Sequence, residues 1–262
     1  MSLEQPRPIL SDAKALVTGI ANEYSIAYGC AKAFHELGAK LAITYANDKA
    51  RPYVEPLATA LDAPIFMPLD AASDTELEAV FKRIEEEWGS LDILVHSIAW
   101  APKDDLQGGL LNCSSEGFAS AMDVSCHSFV RMARLAAPLM KDGGTMLTMS
   151  FYGANKVVPN YSMMGPVKAA LEACARYLAY ELGPKRIRVH ASRPARSRPA
   201  RHRVSRISIC CSTKQRSAHR SANWWTSWML ALRARFWRHL MRDASGAKRC
   251  ISTSASTSWL DA

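Results

Sequence analysis

No stretch of this chain approaches the ~18 consecutive apolar residues of a membrane-spanning helix, so no membrane partner is expected. Residues 1–11 carry no apolar core of the kind a secretory signal needs, and a cytoplasmic protein is expected. Cysteine is sparse. Cys30, Cys113, Cys126 and Cys174 are scattered without ligand spacing, and Cys210 and Cys211 adjoin near the end. They suggest neither a zinc site nor a disulfide framework; reduced thiols and no metal are the expectation. There is no internal repeat and no interdomain linker, and 262 residues suit one large α/β domain.

Two further scarcities are local. The last 71 residues, from Ser192 on, hold two acidic residues, Asp243 and Asp261, and one glycine, Gly246. Against them stand 15 Lys+Arg and five of the seven tryptophans. Before Ser192, 18 basic residues face 22 acidic ones, so the formal charge of +9 belongs to the tail alone.

A basic stretch with tryptophans raises nucleic-acid binding, because arginine neutralises phosphate and aromatic rings stack on bases. Yet residues 192–262 show no zinc spacing, no helix-turn-helix pattern and no RNA-recognition signature. Their Arg, Ser, Pro, Cys and Trp are what a GC-rich gene yields when read out of frame. Reverse translation with free synonymous codons and a shifted frame permits a reading that opens APGPLKTRAASGIKDF and closes ETLYIDERVNIMA. That reading has helix-period apolar residues and balanced charge. We therefore expect residues 1–191 to be the working domain and residues 192–262 an out-of-frame tail replacing its end.

Within residues 1–191, short β-type runs alternate with helical ones. Strands are expected at 14–19 (KALVTG), 40–45 (KLAITY), 65–68, 92–97 (DILVHS), 145–150 and from 187 to 191. Helices are expected at 26–37, around 53–61, at 75–88, as one long piece at 116–140, and at 161–182. This alternation predicts an α/β fold with a single doubly wound, Rossmann-like parallel sheet and helices on both faces. Ligands of such sheets sit beyond the carboxyl ends of the strands.

Four motifs fall at those ends. Gly19-Ile-Ala-Asn-Glu-Tyr-Ser25-Ile26 follows the first strand and opens a helix; it is not a G-x-G-x-x-G fingerprint. Gly19 permits a tight turn, and Ser25 could cap the helix and donate to a phosphate. Asp70-Ala71 follows the third strand, where a carboxylate can accept from an adenine amino group or simply cap the next helix. Ser97-Ile98-Ala99-Trp100-Ala101 follows the fourth, small enough for close backbone approach, with Trp100 either walling an apolar slot or serving as core. The last is Tyr161-Ser-Met-Met164-Gly165-Pro-Val-Lys168. Seven residues of helix turn about 700° and rise about 10 Å, which would set Tyr161 and Lys168 on one face. An ammonium near a phenol lowers its pKa and makes it a usable proton donor. A rival pair, Tyr152 and Lys156, has Gly153 inside it and Pro159 just beyond, which oppose the helix it would need.

The pieces VTGIANEYSIAYG, ITYANDK, VHSIAWAPKD, DVSCHSFVRMA, TMLTMS and VPNYSMMGPVKAALEA resemble the bacterial enoyl-acyl-carrier-protein reductases of the short-chain dehydrogenase superfamily. The likeness runs over about residues 10–191, and the wide Tyr-x6-Lys spacing is its most specific mark. The frame-shifted reading of the tail resembles the family's next segment and its C-terminus. The resemblance implies an NADH-dependent enzyme of fatty-acid synthesis that acts on a trans-2-enoyl thioester carried by acyl carrier protein. It implies Tyr161 and Lys168 as catalytic, and Gly19, Ser25, Ile26, Ala46, Asp70, Ala71, Ile98 and Lys168 as cofactor-binding. Trp100, Ala101 and Met164 would line the substrate, and the assembly would be a homotetramer. No arginine stands directly beside Ala46 to meet a 2′-phosphate, which favours NADH over NADPH. Phe151 stands where the family often has a tyrosine. The alternatives are a ketoreductase using Tyr152 and Lys156, or a non-enzymatic dinucleotide-fold protein whose tail binds nucleic acid. With its end replaced, the chain as written is expected to be inactive or poorly folded.

Overall fold

The computed structural model describes residues 8–107 and 109–193. The tail, apart from Ser192 and Arg193, lies outside the described residues. Six strands form one parallel sheet: β1 Lys14–Thr18, β2 Lys40–Tyr45, β3 Ile65–Pro68, β4 Ile93–His96, β5 Gly144–Met149 and β6 Ile187–Ser192, in the order β3-β2-β1-β4-β5-β6. The chain direction across the sheet reverses between β1 and β4, the kind of place where such sheets open a crevice at their carboxyl ends.

Period-two alternation builds both faces of the sheet. Leu16, Ala42, Leu94 and Met146 point into one apolar cluster with residues of α3 (Asp74–Trp88), α6 (Ser128–Ala136) and α7 (Met164–Leu182). Their strand neighbours Val17, Ile43 and Val95 are equally buried but outside that cluster. On β1, β2 and β4 rests α1 (Ile26–Glu36), whose Ala27, Cys30, Ala31 and Phe34 are buried. A strand buried on both faces needs an unbroken apolar run, and every residue of β4 is buried.

The caps explain where helices start and stop. Ser73 Oγ accepts from the Glu76 amide at 3.2 Å, opening α3, and Gly89 at φ 67° closes it. Leu77, Val80, Phe81 and Ile84 form its buried stripe, as its periodicity predicts. A shorter α2 spans Arg51–Thr59, and α4 spans Lys103–Gln107.

Two expectations need correction. The helix expected over 116–140 is α5 (Ser115–Met122) and α6 joined by a wide π turn at Asp123–His127, and a 3-10 turn at Ala137–Leu139 ends it where Pro138 enters. The Ser128 hydroxyl donates to the Val124 carbonyl at 2.7 Å, a back-bond that competes with regular helix pairing. The second concerns Tyr161, which is not helical. It sits in a turn between Asn160 (φ 62°) and Ser162 (φ 42°), and α7 begins only at Met164. Tyr161 and Lys168 therefore do not share a helix face.

Candidate active site

Both residues nevertheless arrive at the carboxyl end of β5, by different routes. Lys168 lies one turn into α7 and is 4% exposed. Its Nζ donates to the Met149 carbonyl at 2.7 Å and faces the Ile98 carbonyl at 3.5 Å, so it ties the ends of β5 and β4. Tyr161 comes in on the turn before α7, buried, with its ring 4.7 Å from that of Phe151, two residues beyond Met149. Gly153 makes room for it: a Cβ there would lie 2.5 Å from Tyr161 Cδ1.

The electrostatics differ from the sequence expectation. Burial pushes the Tyr161 phenol well above its ordinary value, so it stays a neutral donor across physiological pH rather than a lowered acid. Water exclusion dominates here, and the Lys168 charge is spent on two carbonyls. Burial pulls the Lys168 ammonium down to about 8, with Cys126 and Glu172 opposing part of that. Glu172 is pushed up by burial, but hydrogen bonds from Arg193 and Ser150 outweigh this and hold it below its usual value. Ser150, at the end of β5, donates to Glu172 Oε1 at 2.5 Å, and Arg193 Nε donates to the same oxygen at 2.6 Å.

Behind Lys168 lies a buried polar chain. His96 is fully buried, its Nδ1 is 2.8 Å from Thr148 Oγ1 and its Nε2 is 2.9 Å from Ser128 Oγ. Ser128 gives its only hydroxyl proton to Val124, so it must accept from His96 Nε2–H, which leaves Nδ1 to accept from Thr148. Burial first, and the Lys168 charge second, hold this imidazole down at about 3, hence neutral.

The remaining sequence candidates ring the same end of the sheet. Gly19 has φ +89°, and a Cβ there would strike the Ser97 carbonyl oxygen at 2.1 Å, so only glycine lets β1 and β4 close together. Ser25 stands at the N-cap of α1 but makes no capping bond. Its hydroxyl turns back into the loop, donating to the Asn22 carbonyl and accepting from the Ala21 and Asn22 amides at 3.3 Å. The first-turn amides beginning at Ile26 thus keep no side-chain cap. Ala46 is exposed just past β2, where Arg51 lies 5.9 Å over the Tyr45 ring and bonds Glu55 at 3.1 Å. Asp70 does not cap α3; Ser73 does, and Asp70 accepts from the Ala72 amide at 2.9 Å. Ala71 is buried, and its carbonyl accepts from Arg131 at 2.8 Å. Trp100 is half-buried, while Ala101 and Met164 are buried. The rival pair fails: Tyr152 and Lys156 are both exposed and share no α-helix, Tyr152 opening a 3-10 turn that ends at Ala154, two residues before Lys156.

Sequence reasoning passed over His96, Ser125, Ser128, Arg131 and Glu172, and took Gly153 only as a residue that opposes a helix. A histidine inside the apolar run ILVH and four polar residues within DVSCHS (Asp123, Ser125, His127 and Ser128) were the available signals. Arg131 bonds Asp74 at 3.0 Å and Asp123 at 3.1 Å besides Ala71, joining the start of α3 to the π turn. Cys126 and Cys174 are free thiols 3.7 Å apart, and burial pushes Cys126 up to about 12. Among the described residues no His, Cys, Asp or Glu group could hold a metal, and no helix is long and apolar enough to cross a membrane.

Residues 19–199 match the family model described as enoyl-(acyl carrier protein) reductase. An NADH-dependent enoyl-acyl-carrier-protein reductase, FabI, of Aquifex aeolicus is 47% identical over 184 residues, 70% of this chain and 68% of that one. The crystal structure of the enoyl-acyl-carrier-protein reductase of Anaplasma phagocytophilum with NAD superposes with a TM-score of 0.70 at 41% identity, covering 76% of each chain. The Bacillus cereus enzyme, solved with NADP+ and an indole naphthyridinone, has a TM-score of 0.69 at 40% identity, covering 74% of this chain and 77% of that one.

Proposed function

This chain belongs to the enoyl-acyl-carrier-protein reductase family, and from that membership we propose that its β4–β5 end reduces a trans-2-enoyl thioester with NADH, Tyr161 and Lys168 acting as the catalytic pair. The observation that carries this is the meeting of Lys168 and Tyr161 at one strand end, through Met149 and Phe151.

The residues present fit a dinucleotide. The uncapped start of α1 offers amides to a pyrophosphate. Lys168 has three N–H donors and directs two at Met149 and Ile98, which leaves one for a ribose hydroxyl. Gly19, Ser25, Ile26, Ala46, Asp70, Ala71 and Ile98 would line that cofactor. When bound, the reduced nicotinamide supplies hydride to the substrate β-carbon.

Tyr161 donates its hydrogen bond to the thioester carbonyl, where negative charge grows as the β-carbon is reduced. Because burial keeps the phenol protonated, it is present as a donor at any working pH. A donor aimed at developing charge in a dry site stabilises the transition state more than the ground state. Trp100, Ala101 and Met164 form the apolar wall for the acyl group.

NADH is the reductant named for the Aquifex relative. Arg51, close to the end of β2, is engaged by Glu55 and the Tyr45 ring, which leaves it poorly placed for a 2′-phosphate. Acyl carrier protein is the donor of the thioester, the assembly is a homotetramer using the exposed Tyr177 and Tyr180 face of α7, and the setting is the cytoplasm. The out-of-frame reading of residues 192–262 is supported by the share of the chain left outside the Aquifex match, which is close to the tail in size.

The test is loss of NADH absorbance with a trans-2-enoyl thioester, against NADPH and against a 3-ketoacyl thioester. In the chain as written, or in one carrying the frame-shifted reading of residues 192–262 where the written end abolishes activity, turnover that requires the enoyl substrate, prefers NADH and is lost in Tyr161→Phe is expected. Turnover of the ketoacyl substrate alone would overturn the assignment.

A further inference from the structure

The segment that leaves β4 is held from two sides. Its first half is tied by Lys168, through the Ile98 carbonyl. Its second half is tied by Ser125: the Trp100 amide donates to Ser125 Oγ at 2.8 Å, and the same hydroxyl donates back to the Trp100 carbonyl at 2.8 Å. Ser125 is fully buried. One side chain thus satisfies both backbone groups of Trp100, as a neighbouring strand's peptide would, at a point where β4 has already ended.

Ser125 reaches this place because it lies on the π turn between α5 and α6. A π turn carries an extra residue and is a recurrent feature of functional sites. Three residues on, Ser128 anchors the same turn to His96 of β4 at 2.9 Å. Arg131 anchors its start through Asp123 at 3.1 Å. The turn is therefore fixed at both ends, and what it presents between them is the Ser125 hydroxyl.

We infer that Ser125 is a positioning residue for the substrate wall: it fixes the Trp100 peptide and thereby the slot that takes the acyl thioester, without touching substrate or cofactor itself. This rests on the reading above that Trp100 and Ala101 face the substrate. Because the cofactor half of the segment is held separately by Lys168, loss of the Ser125 hydroxyl should weaken the thioester and spare NADH. Ordinary structural damage would not make that distinction.

Ser125→Ala removes the hydroxyl, and Ser125→Thr keeps it on the same carbon. In the full chain, Ser125→Ala is expected to raise KM for a trans-2-enoyl thioester about tenfold, shift KM for NADH by less than about twofold, and speed exchange of the Trp100 amide by about tenfold. Ser125→Thr should stay within about threefold of the parent on all three. Parallel rises in both KM values would make Ser125 merely structural, as would a folded Ser125→Thr that behaves like Ser125→Ala. Either result overturns the inference. If neither the parent chain nor one carrying the frame-shifted reading of residues 192–262 oxidises NADH with any enoyl thioester, that refutes the reaction; the exchange comparison still decides the clamp, and unchanged Trp100 exchange in Ser125→Ala overturns it.

Discussion

Gly153 lies against the Tyr161 ring so closely that a Cβ there would fall 2.5 Å from Cδ1 and 2.8 Å from Cε1. The Phe151 ring adjoins the same tyrosine at 4.7 Å between centroids. The proposed proton-holding group therefore owes its position to a side chain that is missing. Gly153→Ala must move the ring. It is expected to lower kcat about 10- to 100-fold with the NADH KM nearly unchanged, since small displacements of a reacting group carry costs of that size. Combined with Tyr161→Phe it should add almost nothing. Steady-state kinetics of the two single variants and the double variant check this, and losses that multiply would place the role of Gly153 elsewhere.

His96 gives a prediction about acid. Its folded value near 3 lies below its ordinary 6.5, with burial the main cause. A base depressed in the folded state contributes stability above its unfolded value, and loses it as pH falls toward the folded one. Between pH 6.5 and 3 the unfolded chain takes up a proton that the folded chain refuses. At pH 4.5 this should remove about 2–3 kcal/mol relative to pH 7. Urea midpoints of the parent and of His96→Gln at both pH values test it: the acid loss should shrink by that amount in the variant. The imidazole nitrogens should report a neutral, Nε2–H ring by NMR across the same range.

The sheet was legible because each strand is a short apolar run between turn signals. KLAITY and residues 65–68 became strands with the boundaries expected. Helix periodicity also found the buried stripe of α3. The site was less legible, because three of its arrangements depend on departures from regular structure. Tyr161 is delivered by a turn with left-handed residues on either side, which a count of helix residues cannot anticipate. Ser125 points at Trp100 only because a π turn interrupts the helix. Ser25 has the residue type of a cap yet bonds its own loop. For Tyr161 and Ser25 residue type suggested one contact and the local backbone made another; for Ser125 it suggested none.

Lys168 predicts behaviour in base. Its folded value of about 8 lies below the ordinary 10.5, again chiefly through burial. Below pH 8 both states are protonated and the buried charge is a full cost to stability. From about 8 to 10.5 the folded state sheds its proton first, so this group's contribution rises with pH. Cys126, pushed up to about 12, acts in the opposite sense, so the parent must be compared with Lys168→Met. From pH 7.5 to 10 the parent should gain about 2 kcal/mol on that variant in urea unfolding. NADH affinity should fall through the same window, because the proposed contact to a ribose hydroxyl is made by the charged form.

Arg131 is the link between the cofactor-side loop and the π turn, bonding the Ala71 carbonyl at 2.8 Å, Asp74 at 3.0 Å and Asp123 at 3.1 Å. Its side chain is 10% exposed, so these contacts are largely shielded from water. Arg131→Met leaves a buried carbonyl without its donor and should cost about 1–3 kcal/mol in urea unfolding. Through Ala71 it should also raise the NADH KM several-fold. A variant that loses stability with no change in NADH KM would remove Asp70 and Ala71 from the cofactor site.

At Ser192 the sequence changes character. Among the described residues strand β6, which runs to Ser192, pairs only with β5 and is an edge of the sheet. Open edges of this kind invite association with other chains. One residue later, Arg193 grips Glu172, the same carboxylate that receives Ser150 beside the Lys168 helix. That arginine belongs to the segment read as out of frame, so a contact at the heart of the site comes from residues without the composition of the rest. Replacing residues 192–262 with the reading that opens APGPLKTRAASGIKDF should restore an uncharged start to this segment and free Glu172 of Arg193. NADH oxidation with an enoyl thioester is expected to be at least about 100-fold faster in the restored chain, whose segment after Ala191 again resembles that of the family. Light scattering should show the chain as written aggregating where the restored one forms a defined oligomer. Equal turnover by the two chains would make the basic tail a working part of this enzyme, and the out-of-frame reading would fall.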